Sequence, residues 1–128
     1  MKSNLIILLL GVLFGCVSCA ANDIKNKTTV GPKIIYPYFA SAERQLVISN
    51  GYLLIEIGMS IKQVNNVLGD PDEVNPTYDV KKRPSKIGYS HVYLLSRERL
   101  NGSVNEKNEH LVRVMFNLDD KVVRVDKW

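Results

Sequence analysis

Cysteine is scarce in this chain of 128 residues and confined to one place: Cys16 and Cys19 are the two present, and none follows to the end. A domain folded from the remaining residues therefore has no internal disulfide and no thiolate to hold a metal. Histidine is as rare, with only His91 and His110. His110 has Glu109 beside it but no second ligand at metal spacing. His91 falls between Tyr89 and Tyr93 in an alternating run, the place of a packed or half-exposed sheet residue. Ser90 and His91 are neighbours, so a strand points them to opposite faces and the hydroxyl gains no base. No Gly-rich phosphate loop occurs. Asp70, Asp72 and Glu73 lack the glycine and terminal glutamate of a calcium loop and have Pro71 among them. An excess of one charge is also missing, the formal balance being only +4. Aromatic and basic residues are not interleaved, which speaks against nucleic acid as a partner. The inventory predicts no enzyme, no cofactor, no metal and no small-molecule substrate.

What is present begins at the N-terminus. Met1 and Lys2 form a small positive region, and residues 5–14 are a continuous apolar run broken only by Gly11. That run is too short to span a bilayer as a finished helix. It closes in Leu13-Phe14-Gly15-Cys16, which resembles the lipobox cut by the lipoprotein signal peptidase. Cys16 is the favoured acyl acceptor and Cys19, after Val17 and Ser18, the alternative. The expected division is a signal peptide over 1–15, a lipidated polar tether over 16–33 and one small domain over 34–128.

Residues 58–71 read as a complete short helix. Ser60 is an N-cap, and Gln63 stands where its side chain can return to the Ser60 amide. Met59 and Val64 have the spacing of a hydrophobic staple. Ile61, Val64 and Leu68 share a face, Gly69 ends the helix, and Pro71 blocks its continuation. The order and spacing of Gly58, Met59, Ser60, Gln63, Val64, Leu68, Gly69 and Pro71 resemble the signature of the SmpA/OmlA family, the BamE-like small lipoproteins of the Gram-negative outer membrane. The resemblance implies a two-layer α+β fold with N-terminal helices on a three-stranded antiparallel sheet. The family carries glycine where Asp120 stands, and aspartate tolerates positive φ there.

Elsewhere the pattern is plainer. Residues 34–39 are apolar with Pro37 inside, an extended or edge segment. Residues 40–48 have helical character and Asn50-Gly51 is expected to stop them. Residues 52–57 fit a short helix or a strand. Residues 72–86, with Pro76 and Pro84, read as an irregular connection. Three strands follow. Ile87, Tyr89, His91, Tyr93 and Leu95 line one side of the first. Val112, Val114, Phe116 and Leu118 line the second, and Asp119-Asp120-Lys121 turns into the third. A polar excursion spans 97–109.

Two functional readings follow. In the first, the resemblance and the lipobox imply an outer-membrane-anchored, periplasm-facing lipoprotein that binds outer-membrane protein assembly components and supports envelope integrity. In the second, the chain is a periplasmic inhibitor or immunity-type lipoprotein that blocks a secreted enzyme through loops such as 97–109. In either, Lys81, Lys82, Arg83 and Lys86 form a basic cluster for an acidic partner or an anionic lipid surface, or a solvated loop.

Overall fold

The computed structural model describes residues 33–81 and 85–128. The signal peptide, Cys16, Cys19 and the tether up to residue 32 lie outside that range, as do Lys82 and Arg83. In chain order the elements are β1 (Tyr38–Phe39), α1 (Ala42–Gly51), a 3-10 turn (Tyr52–Leu54), α2 (Ile61–Leu68), β2 (Glu73–Asp79), β3 (Ser85–Arg97), α3 (Val104–Lys107), β4 (Glu109–Asn117) and β5 (Val122–Lys127). All strand pairings are antiparallel. The expected α+β layout is observed, with helices packed on a sheet.

The sheet is wider than the sequence suggested. The meander β3-β4-β5 is the three-stranded unit read from alternation, but β1 and β2 join it, both on the free side of β3. β2 pairs with β3 from Glu73↔Val92 to Asp79↔Ser85, while β1 pairs at Tyr38↔Arg97 and Phe39↔Ser96. Residues 72–86 are thus no irregular connection. Pro76 misled the reading: it lacks an N–H, but an edge strand tolerates it, and β2 bonds on one side only.

β3 is the centre of the molecule, and its two faces carry different cores. On one face Tyr93, Val112, Val114, Phe116 and Val122 meet Ile48 of α1 and Val64 and Leu68 of α2, all at most 1% exposed. Removing such side chains from water contributes about 1.5–3 kcal/mol each. On the other face Val92, Leu94 and Leu111 are covered by Ile34, Tyr38 and Trp128. Leu118 does not join its alternating partners, because it lies past the end of β4 and is 62% exposed. Ile87 is likewise exposed, at a register shift near the β2–β3 turn.

α1 ends at Gly51 as expected, though not through a positive-φ cap: Gly51 keeps φ −69° and the chain tightens into the 3-10 turn, where α1 touches α2. A Cβ here would lie 2.8 Å from Leu68 Cδ2 and 3.1 Å from Val67 Cγ1. Asp120 adopts φ +57°, as the turn into β5 requires.

Candidate interaction site

The motif over residues 58–71 forms a structural joint. The capping box is complete: Gln63 N–H donates to Ser60 Oγ at 3.2 Å and Ser60 N–H to Gln63 Oε1 at 2.8 Å. Met59 packs on the same core as Val64, completing the staple. Gly58, at φ +93°, donates its N–H to Val122 O, and Met59 O accepts from Val122 N, so the helix start is stitched to the start of β5. Gly69 takes φ +77° and ψ −165°, which differs from the left-handed cap expected and is a region essentially reserved for glycine. Pro71 follows and delivers Asp72 to the sheet.

Asp72 fills a gap in that sheet. Between β1 and β2 the edge of β3 has no strand beside it among the described residues. Asp72 N–H donates to Val92 O at 2.8 Å, and Leu94 N–H donates to Asp72 Oδ2 at 2.7 Å. Arg44 of α1 holds the same carboxylate at 2.9 Å and also reaches Asp70 O at 3.0 Å. Burial opposes the Arg44 charge, but Asp72 outweighs it and the pKa lies above the ordinary arginine value. Burial, aided by Asp72, raises the Tyr38 hydroxyl above its usual range. A groove of about 460 Å³ opens over this cluster, walled by Ile34, Ile35, Pro37, Tyr38 and Phe39 with Arg44 and Asp72 at its floor. Ile35 and Phe39 are 80% and 67% exposed. Among the described residues Arg44 Nε is buried without a hydrogen-bond partner, so the groove offers contact area, a fixed charge pair and one unmet donor.

A second polar cluster closes the 97–109 excursion. That segment is not all loop: Arg97 ends β3, Glu109 begins β4, and α3 lies between, capped by Ser103 and Glu106. Arg97 Nε meets Glu109 Oε2 at 2.6 Å and Arg97 NH1 meets Glu73 Oε1 at 2.5 Å. Burial opposes the guanidinium charge, but Glu73, the Tyr36 hydroxyl and Glu109 overcome it, and Arg97 is raised further above its usual range. Opposite charges at the two ends of one hairpin excursion were the sequence signal for this pair. The Arg44–Asp72 pair had none, its partners being brought together only by the packing of α1.

Of the basic cluster, Lys81 and Lys86 lie within the described residues, Lys81 just after β2 and Lys86 in β3 opposite Tyr78. Lys81 N–H donates to Asp79 Oδ1 at 2.9 Å. Lys86 sits over the Tyr89 ring, 3.6 Å from its centroid, and bonds its hydroxyl. Both lysines are exposed.

His91 is buried against Phe116, ring centroids 4.7 Å apart, and its Nδ1 has no partner. Burial lowers its pKa, with Asp120 opposing weakly, so the ring is neutral near pH 7. His110 is exposed. Among the described residues no three His, Cys, Asp or Glu side chains gather as a metal site, and no helix is long and apolar enough to cross a membrane.

No family model matches the chain, and no curated protein matches it. One solved structure with likeness is a crystal structure of an osmotically inducible lipoprotein, OsmE. It is 21% identical, with a TM-score of 0.40, over 64% of this chain and 80% of that one. A likeness of this degree carries no argument about function.

Proposed function

We propose that this chain is a lipoprotein of the SmpA/OmlA kind, anchored through Cys16 to the periplasmic side of the outer membrane, acting by binding as an accessory to outer-membrane β-barrel assembly. The observation that carries the binding role is how the polar groups are spent. Ser60 and Gln63 cap a helix, Asp72 and Arg44 close a sheet edge, and Arg97 joins Glu73 to Glu109. Each cluster holds elements of the fold together. Large apolar side chains meanwhile face water, Leu53 at 71% and Ile57 at 70% among them. Where such side chains adjoin one another they offer apolar area for protein contact.

The anchor and the assembly role are supported by the lipobox-like ending at Cys16 and by the motif over residues 58–71. Val17 after the cysteine is not the aspartate that retains resembling enterobacterial lipoproteins in the inner membrane. Lys81, Lys82, Arg83 and Lys86 supply the contact to an acidic partner or to anionic headgroups, each basic residue near such a surface gaining up to about 1 kcal/mol. The chain takes no cofactor and no nucleic acid.

Crosslinking in intact cells followed by affinity purification tests this reading. Recovery of barrel-assembly components supports it, with the capture weakened by reversing the charges of the basic cluster. Tight capture of a secreted enzyme, with barrel-protein levels and permeability unchanged on deleting the gene, would transfer the case to the inhibitor reading. Mass spectrometry of the mature N-terminus tests the anchor separately: a diacyl-glyceryl or triacylated Cys16 is expected, and an unmodified peptide beginning at Ala20 or later refutes it.

A further inference from the structure

β5 is the last strand of the sheet, and one of its long sides is almost unoccupied. Its register with β4 sets Arg113 opposite Asp126 and Met115 opposite Arg124. One step further Leu111 and Trp128 exchange both backbone bonds, at 2.8 and 3.1 Å. Bonded pairs recur every second residue along an antiparallel ladder. Residues 124, 126 and 128 therefore turn their N–H and C=O toward β4, and residues 125 and 127 turn theirs outward, while Val123 is the extra residue where the register shifts. Only the beginning of the outer side is taken, where Val122 bonds Gly58 and Met59. Among the described residues, no strand pairs with the outer side from Val123 to Lys127.

The run Val123-Arg124-Val125-Asp126-Lys127 is complementary to its own reverse. With a second copy antiparallel to it and a two-fold axis at Val125, Val125 meets Val125, Val123 meets Lys127, and Arg124 meets Asp126 twice. Val125 and its copy, whose backbone groups point outward, form a bonded pair at the axis, and Lys127 stands opposite the bulged Val123 on either side. An axis at Arg124 or at Asp126 would instead set like charges face to face, Arg124 on Arg124 or Asp126 on Asp126. Charges on an edge strand normally block pairing. Here they have opposite signs at mirrored positions, so they block a foreign strand better than a second copy. Within one chain Arg124 Nε already holds Asp126 Oδ1 at 2.8 Å, with 67% of the arginine side chain exposed. A second copy would convert two such pairs into one four-charge cluster, and side chains already held lose less freedom in joining it. Val123, 49% exposed, would be covered in the same step.

We infer that β5 is a self-association edge, pairing two copies of this chain antiparallel about Val125 into one continuous sheet. This pairing does not depend on acylation of Cys16. It is tested on the full chain in intact cells, with photoreactive p-benzoylphenylalanine in place of Val123. Irradiation should give an adduct of twice the chain mass. Arg124→Asp and Asp126→Arg should each reduce that adduct at least fivefold, because each places like charges opposite one another. Co-expressing the two variants under different tags should restore a mixed adduct, since each then meets the opposite charge in the other copy. No dimer adduct, an adduct indifferent to both substitutions, failure of the mixed pair, or an adduct to a different protein in its place would each overturn the inference.

Discussion

Replacing Arg97 by methionine should remove about 3–5 kcal/mol of folding stability, and removing its partner as well should return much of it. Arg97 is 4% exposed, and its guanidinium separates Glu109, whose side chain is 3% exposed, from Glu73 at 26%. The cation's own desolvation is lost with it, which favours the variant. The Glu109 carboxylate, however, is then left buried with no counter-charge. Breaking a buried pair from one side costs about 3–5 kcal/mol for that reason. Glu73 reaches water and can be solvated, so it adds little. A small domain has a total stability of about 5–15 kcal/mol, so the single variant loses a large part of it. In Arg97→Met with Glu109→Leu no charge is stranded, and buried pairs replaced by apolar groups are often neutral or better. The double variant should therefore lie at least about 2 kcal/mol above the single one. Urea unfolding followed by the fluorescence of Trp128, the one tryptophan in the chain, measures both. The slope must stay constant for the midpoints to be read as stability. A single variant within about 1 kcal/mol of the parent, or a double variant no better than the single one, refutes the reasoning.

Four further substitutions are expected to act as follows. Gly88→Ala should open the β3–β4 pairing, because the new Cβ would overlap the backbone carbonyl of Phe116 and no rotamer relieves it; the cost should reach about 1–3 kcal/mol or more in the same unfolding assay. Ser60→Ala should cost about 1 kcal/mol as a lost cap, and Gly69→Val more, since φ +77° with an extended ψ suits glycine alone; unchanged midpoints for both would refute the account of the joint. His91 has a folded pKa below its unfolded one, so the unfolded chain binds the extra proton first. Its contribution is thus intact above about pH 6.5 and declines as pH falls below that toward the folded value, and His91→Phe should flatten this part of the stability profile measured by thermal melts.

Much of the fold was legible because it rests on local rules. The helix over 61–68 was marked by its caps, and β3, β4 and β5 by alternation and the Asp119-Asp120 turn. What escaped depends on distant partners. β2 holds a proline and has only the β3 edge to make it a strand. Gly51 was legible as the end of α1, but the need for a glycine there lies in Leu68, a residue of the next helix. The groove over Arg44 and Asp72 joins β1, α1 and the end of the motif, and no spacing in the chain announces it. The candidate basic cluster was visible as composition, yet composition did not show that Lys86 lies on a tyrosine ring.

The carboxylate of Asp72 also acts on how the sheet finds its alignment. Slippage by one residue is the characteristic error of an edge, because it exchanges the two faces of a strand. Along β3 outward N–H and C=O groups alternate. In the native register, with Glu73 opposite Val92, the Asp72 carboxylate meets the Leu94 N–H at 2.7 Å. Moved by one position, it would face the strand where no donor points toward it. Arg44 fixes the carboxylate from the helical side, so α1 must be seated before the check can operate. A single acidic side chain thus couples the seating of the first helix to the alignment of two strands that are far apart in the chain, and misaligned pairings lose both contacts at once.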